Sequence, residues 1–226
     1  MGVHDGHRDR LKNRFIEHGI DSFNDLNALE LLLFYAIPRR DTNVLAHDLL
    51  DKFGSLSGVF DAGLRELTEV PGIGENAALL IKLVPQMVKK CRISRVNDIR
   101  IFRSSADLGR FLVPHFMDER DELVLLLCLD SRKALISCEV LSRGVVNAVD
   151  ITVRRIVETA LKNKAASVVL SHNHPEGIAL PSREDEMLTK KVGEALRLIG
   201  MELLDHVIVA GEQYFSMRDS GLFGRF

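Results

Sequence analysis

Two histidines two residues apart, His172 and His174, followed by Ser182 and Asp185, form the densest cluster of chemistry-bearing side chains in the chain; they lie in the run SHNHPEGIALPSRED, residues 171–185. In an extended segment, side chains at i and i+2 project from one face with Cα atoms roughly 6.6 Å apart. Two imidazoles so placed can converge on one metal ion at about 2.0–2.1 Å each. Asp185, eleven residues after His174, falls in the first turn of a helical pattern and can supply a carboxylate as third ligand. A His, His, Asp set leaves the fourth tetrahedral position to water, which is the arrangement of a catalytic zinc site rather than a structural one. Each half of the cluster also has an ordinary explanation. A histidine pair at a strand end can be plain polar loop, and Ser182-x-x-Asp185 is a capping-box pattern at a helix start. The roles can coexist, because a cap holds Asp185 at the helix end nearest the histidines.

The elements that must position these residues follow from periodicity. Ala165 to Ser171 is short, apolar and β-branched, a strand; Ser182 to Ile199 is helical, with Met187, Leu188, Val192, Ala195, Leu196 and Ile199 on one face. The cluster therefore occupies a strand-to-helix crossing, where α/β proteins gather functional groups. Glu122 to Leu129 is a continuous apolar run suited to a strand buried on both faces. Asp130-Ser131-Arg132-Lys133 turns it, and Ala134 to Leu141 returns as a hairpin partner. Arg143 to Asn147 is a loop or short strand leading to a helix from about Asp150 to Asn163. Leu203 to Ala210 and Gln213 to Met217 make a second hairpin around Gly211-Glu212, and Ser104 to Met117 is a capped helix. Strands interleaved with helices imply a helix-covered sheet over residues 101–226.

Residues 1–100 read as all-helical. The first ten are expected to be loose, and Leu11 with Phe15 suggests a short helix. Leu26, Leu29, Leu32 and Leu33 stripe a second, which Pro38-Arg39-Arg40-Asp41 breaks; further helices run from Thr42 or Asn43 to Lys52 and from Ser57 to Ala62. Val70-Pro71-Gly72-Ile73-Gly74 is a tight turn resembling a helix-hairpin-helix motif. Such a turn buries its middle residue and leaves N–H groups at the next helix start open to a phosphate. Glu75 and Asn76 follow the glycines where a DNA-binding version would carry a basic residue, and a carboxylate there complements the helix terminus itself. The turn thus serves packing or protein contact, or it holds DNA. Lys89 to Arg103 is basic and is taken as the linker.

Composition narrows the classes. The chain has 226 residues, 46% hydrophobic and 27% charged, with a formal net charge of −2, and residues 1–100 carry 14 Lys+Arg against 14 Asp+Glu. No global attraction to nucleic acid or anionic membrane results. No apolar run reaches the roughly 20 residues of a bilayer span, and the polar N-terminus has no signal-peptide core, so a cytoplasmic protein without a membrane partner is expected. Cys91, Cys128 and Cys138 lack Cys-x-x-Cys spacing and are read as buried reduced thiols. No particular oligomeric state is indicated. A nucleobase deaminase would need His-x-Glu and Pro-Cys-x-x-Cys; here the position two after His172 is His174 and no Cys-x-x-Cys occurs, and nucleases named for His-Asn-His space those residues far apart.

The spacing H-x-H, seven residues, S, two residues, D, met at His172, His174, Ser182 and Asp185, resembles the JAMM motif of the JAB1/MPN metalloproteases. SHNHPEG, PSREDEMLTKKV and LLDHVIVAG are similar in particular to the bacterial RadC family, long labelled DNA repair proteins, whose N-terminal helical region also ends in a GIG turn. Pro38 to Asp41 departs from that pattern, standing where a glycine-containing turn is expected. The resemblance implies an α/β fold with a helix-covered mixed β-sheet of JAB1/MPN type, cytidine-deaminase-like, over 101–226, preceded by a small all-α helix-hairpin-helix-like domain over 1–100. It implies a hydrolase of peptide or isopeptide bonds holding one Zn²⁺ per chain on His172, His174 and Asp185. Ser182 would donate to the oxyanion, and Glu122, at the head of the first strand, would be the general base; Glu119 and Glu139 are its rivals. Asp205-His206 places His206 either behind a metal ligand or as a packed structural histidine. The implied partner is a protein or peptide substrate. The alternative is a DNA-associated factor that binds nucleic acid through Gly72–Gly74 and uses the C-terminal domain as a scaffold.

Overall fold

A run of seven buried residues, Leu123–Leu129, forms strand β1, and the sheet of the C-terminal unit is assembled around it. The computed structural model describes residues 5–222 apart from 39, 97, 99–100, 118, 145–151 and 176. The start of the chain, most of the segment after Arg143 and the expected helix start at Asp150 lie outside the described residues. The chain divides into two compact units, Met1–Val88 and Lys89–Phe226.

In the first unit the helices are α1 (Asp5–His18), α2 (Asp25–Ala36), α3 (Asn43–Phe53), α4 (Leu56–Asp61), α5 (Leu64–Thr68) and the N-terminal part of α6 (Glu75–Val96). Leu29, Leu33, Leu49, Val59, Leu67 and Ile81 make its core. The expectation of ten loose residues is overturned, since α1 starts at Asp5. Long-range contacts hold it: Leu11 is buried, His7 meets the buried Glu30 at 3.0 Å, and the Arg8 guanidinium lies over the Phe34 ring. The five-residue helix α5 is an element the pattern did not anticipate. Gly72 turns the chain into α6 at φ 95°, a backbone conformation that favours glycine, and a Cβ there would stand 2.7 Å from Leu45 Cδ2, which would have to shift. Ile73, between the two glycines, is buried. The basic stretch taken as a linker is partly helix, because Lys89 to Val96 continue α6.

In the second unit, α7 (Ser105–Phe116), β1, β2 (Leu135–Arg143), α8 (Val153–Lys162), β3 (Ser167–Asn173), α9 (Arg183–Leu198), β4 (Glu202–Ala210) and β5 (Gln213–Ser216) follow in order. The five strands lie as β2-β1-β3-β4-β5. Only β3 and β4 are parallel, with α9 as their crossover, and the other neighbours are antiparallel. Alternation along β1 separates two cores. Leu125, Leu127 and Leu129 pack with Phe111 and Leu112 of α7; Val124, Leu126 and Cys128 pack with Ile156 of α8 and Val192 and Leu196 of α9. The face of α9 differs from the stripe expected. Thr189, Val192 and Leu196 are buried, whereas Met187 and Ile199 are exposed, because the sheet meets the helix along the row that includes Thr189. The thiols differ too: Cys128 is buried, Cys138 half-buried and Cys91 exposed on α6. Burial pushes the Cys138 thiol up to about 12, which leaves it inert.

Candidate metal centre

Strand β3 lies between β1 and β4, with His172 opposite Val124 on one side and Ile208 on the other. The sequence pattern ended this strand at Ser171, but pairing on both sides carries it to Asn173. His174 N still donates to Val209 O at 2.8 Å, so the backbone stays extended for one more residue. This puts both histidines on the face covered by α9, their ring centroids 4.8 Å apart. Gly177 packs close behind, where a Cβ would be 3.1 Å from that of His174.

The carboxylate arrives from the start of α9. Ser182 is its N-cap: its Oγ accepts from Asp185 N at 3.1 Å, and Asp185 Oδ2 accepts from Ser182 N at 2.8 Å and from Ser182 Oγ at 2.6 Å. The capping box and the cluster at the histidines are one structure, because the two carboxylate oxygens divide the work. Oδ1 stands 3.3 Å from His172 Nε2, while Oδ2 closes the cap and lies 3.8 Å from His174 Nε2. Burial acts to raise the Asp185 carboxyl; the adjacent His172 and the Ser182 hydrogen bonds outweigh it and hold the carboxyl well below the usual range.

The two histidines meet Nε2 to Nε2 at 3.0 Å, and His174 Nδ1 is 3.1 Å from Ile178 O. Behind His172, His206 of β4 is 1% exposed. Its Nε2 is 3.0 Å from His172 Nδ1, and its Nδ1 is 2.6 Å from Thr189 Oγ1. Burial, with His172 nearby, pulls the His206 imidazole down to about 3, so it is neutral. His172, Asp185 and His206 offer ligand atoms all within 4.8 Å of one another, a group able to hold a metal ion. His174 stands on the cluster's solvent side, with Nε2 at 3.0 Å from His172 Nε2 and 3.8 Å from Asp185 Oδ2.

Glu122 immediately precedes β1. It is half-buried and its carbonyl accepts from Gly144 N at 3.1 Å, while the pairing of β1 with β3 ends at Val124 and His172, two residues short of it. Asn173 secures this end of β1: its Oδ1 accepts from Leu123 N at 2.7 Å and its Nδ2 donates to Asp121 O at 3.2 Å. Of the rivals, Glu119 pairs with Arg143 at 2.5 Å and also with Lys89, and Glu139 lies opposite Leu126 on the edge strand β2, deeper along the sheet. The pattern missed Asn173 and Thr189. Thr189 had a signal, a polar residue four after Asp185 on the helix face that must be buried; Asn173 had none, since its partners are 50 residues distant and more.

Two comparisons bear on this arrangement. The RadC-like JAB domain model matches residues 102–222, which takes in the whole sheet, the histidine strand and α9. A UPF0758 protein of Fusobacterium nucleatum is 33% identical over 224 residues, spanning 96% of this chain and 97% of the relative. The similarity thus runs through the helical N-terminal unit as well as the sheet, and the chain belongs to the RadC family, with a JAB-type domain in its C-terminal part.

Proposed function

We propose that the protein is a zinc-dependent hydrolase of peptide or isopeptide bonds, with His172, His174 and Asp185 as ligands of one Zn²⁺. The observation that carries this is the mutual approach of His172 Nε2, His174 Nε2 and the Asp185 oxygens at 3.0, 3.3 and 3.8 Å. Ligand atoms about 2.0–2.1 Å from a tetrahedral centre stand about 3.3 Å from each other, so these residues fit the ion. Proton accounting agrees. The Ile178 carbonyl only accepts, so His174 Nδ1 carries the hydrogen and its Nε2 presents a lone pair to the cluster. A metal ion would be one acceptor of that lone pair, together with those of His172 and Asp185.

A bound zinc supplies Lewis acidity and brings the pKa of water towards about 7. Glu122 would take the proton of the attacking water and deliver it to the leaving amine as the C–N bond breaks. The Ser182 hydroxyl proton is engaged by Asp185 Oδ2 at 2.6 Å; to serve an oxyanion the hydroxyl would turn from that carboxylate, leaving the backbone half of the cap in place. The test is hydrolysis of a panel of fluorogenic peptide amides and lysine isopeptides. Activity is expected to vanish when a chelator removes the metal and to return with stoichiometric Zn²⁺. Cleavage that survives chelation at zero residual zinc sinks the reading.

One observation supports a second role for the N-terminal unit. The turn at Gly72 has no basic residue after it in sequence, but Arg40, exposed on the α2–α3 connection, brings Nη2 to 3.5 Å from the position of a Gly72 Cβ. A cation next to the α6 start would favour a DNA phosphate there. Binding of the full chain to a branched oligonucleotide should then weaken as salt rises and weaken further in Arg40→Ala; no binding at low salt ends this reading.

A further inference from the structure

We infer that His206 and Thr189 are positioning residues, which hold His172 in the tautomer that offers Nε2 to the metal. The inference rests on the ligand assignment proposed above and goes past it, to groups that touch no metal. With Nε2 given to a metal, the one proton of neutral His172 must sit on Nδ1. Its acceptor is His206 Nε2, 3.0 Å away, at a site where His206 is 1% exposed and water has no access to substitute. His206, accepting at Nε2, carries its own proton on Nδ1 and donates it to Thr189 Oγ1 at 2.6 Å. The Thr189 hydroxyl in turn donates to the Asp185 carbonyl at 2.6 Å, a group that only accepts.

The chain of donors therefore has one direction, and it ends on the main chain of another ligand. Reversing it would place a hydrogen on His172 Nε2, between the ring and Asp185 Oδ1, where the metal belongs. The relay links β3, β4 and α9 through His172, His206 and Thr189, so the same bonds that choose the tautomer also hold the His172 ring against rotation. Partners of this kind, behind a metal-bound histidine, characteristically contribute 10–100-fold to affinity or activity.

The experiment measures zinc affinity of the full chain by competition with a chromophoric chelator, together with ¹⁵N NMR of the histidine rings in the zinc-loaded protein. Thr189→Val is expected to weaken zinc binding by about 10–100-fold and Thr189→Ser to restore most of it, while His206 in the wild type shows its proton on Nδ1. His206→Phe should bind as weakly as Thr189→Val or worse; if that variant does not fold, the Thr189 pair and the ring spectrum decide. Wild-type affinity in Thr189→Val, or a proton on Nε2 of His206, overturns the inference. His172→Ala serves as the control that separates the two claims. Unchanged zinc in His172→Ala defeats the ligand assignment itself, whereas loss of zinc there with no effect at Thr189 defeats only the relay.

Discussion

With the proposed ligand set, alanine at His172 is expected to abolish stoichiometric zinc binding, and alanine at His174 or asparagine at Asp185 to do the same, as read by elemental analysis of the purified proteins. The three substitutions differ in what else they disturb, and this makes the set informative. His172 is 8% exposed and bonded to His206, so its loss also opens a gap in the sheet face. His174 lies at the half-buried end of the cluster and its loss should be nearly silent in stability. Asp185→Asn keeps an oxygen for the Ser182 N–H and so retains much of the cap, while removing the negative charge a divalent ion needs. Ser182→Ala is the converse. It removes the side chain that accepts from Asp185 N at 3.1 Å, which should cost about 0.5–2 kcal/mol of stability and leave the metal bound. Thermal unfolding and metal content therefore separate the two functions of the helix start. Full zinc occupancy in all three ligand variants would show that the convergence of these side chains is only a hydrogen-bonded cap.

Glu122→Gln is expected to lower kcat/KM by about 10²–10⁴ with zinc content unchanged, the loss characteristic of a general base. Glutamine matches the shape but takes up no proton, so substrate binding should be little affected and the effect should fall on kcat. Glu119→Gln makes the contrast. That carboxylate is occupied by Arg143 and Lys89, and its substitution should change stability far more than turnover. Asn173→Ala should fall between. It leaves every ligand and Glu122 intact but frees Leu123 N and Asp121 O from their anchor, and a small displacement of a reacting group costs up to about 10² in rate. Turnover in Glu122→Gln equal to wild type would remove Glu122 from the mechanism and return attention to other carboxylates.

Much of this was legible in residue order, for reasons of local geometry. The striped helices and the change from a helical stripe to the continuous apolar run of β1 between Met117 and Leu123 are set by contacts a few residues apart, so the sequence by itself determined the order and type of most elements. The spacing of His172 to His174 and of Ser182 to Asp185 is equally local. A two-residue step on an extended chain and a three-residue step at a helix start have one geometry wherever they occur. Tertiary structure decided the rest. Strand β3 passes Ser171 because β1 and β4 pair with it on both sides, which makes His172 a buried strand residue rather than part of a loop. The Asp185 carboxylate serves cap and cluster together because α9 crosses over the histidines' face. His206 and Thr189 stand behind His172 across separations of 34 and 17 residues, distances at which no periodicity operates. The cluster of His172, His174 and Asp185 was therefore half visible as a pattern. Its atoms converge because a sheet and a crossover helix, folded from distant segments, bring those side chains to one place.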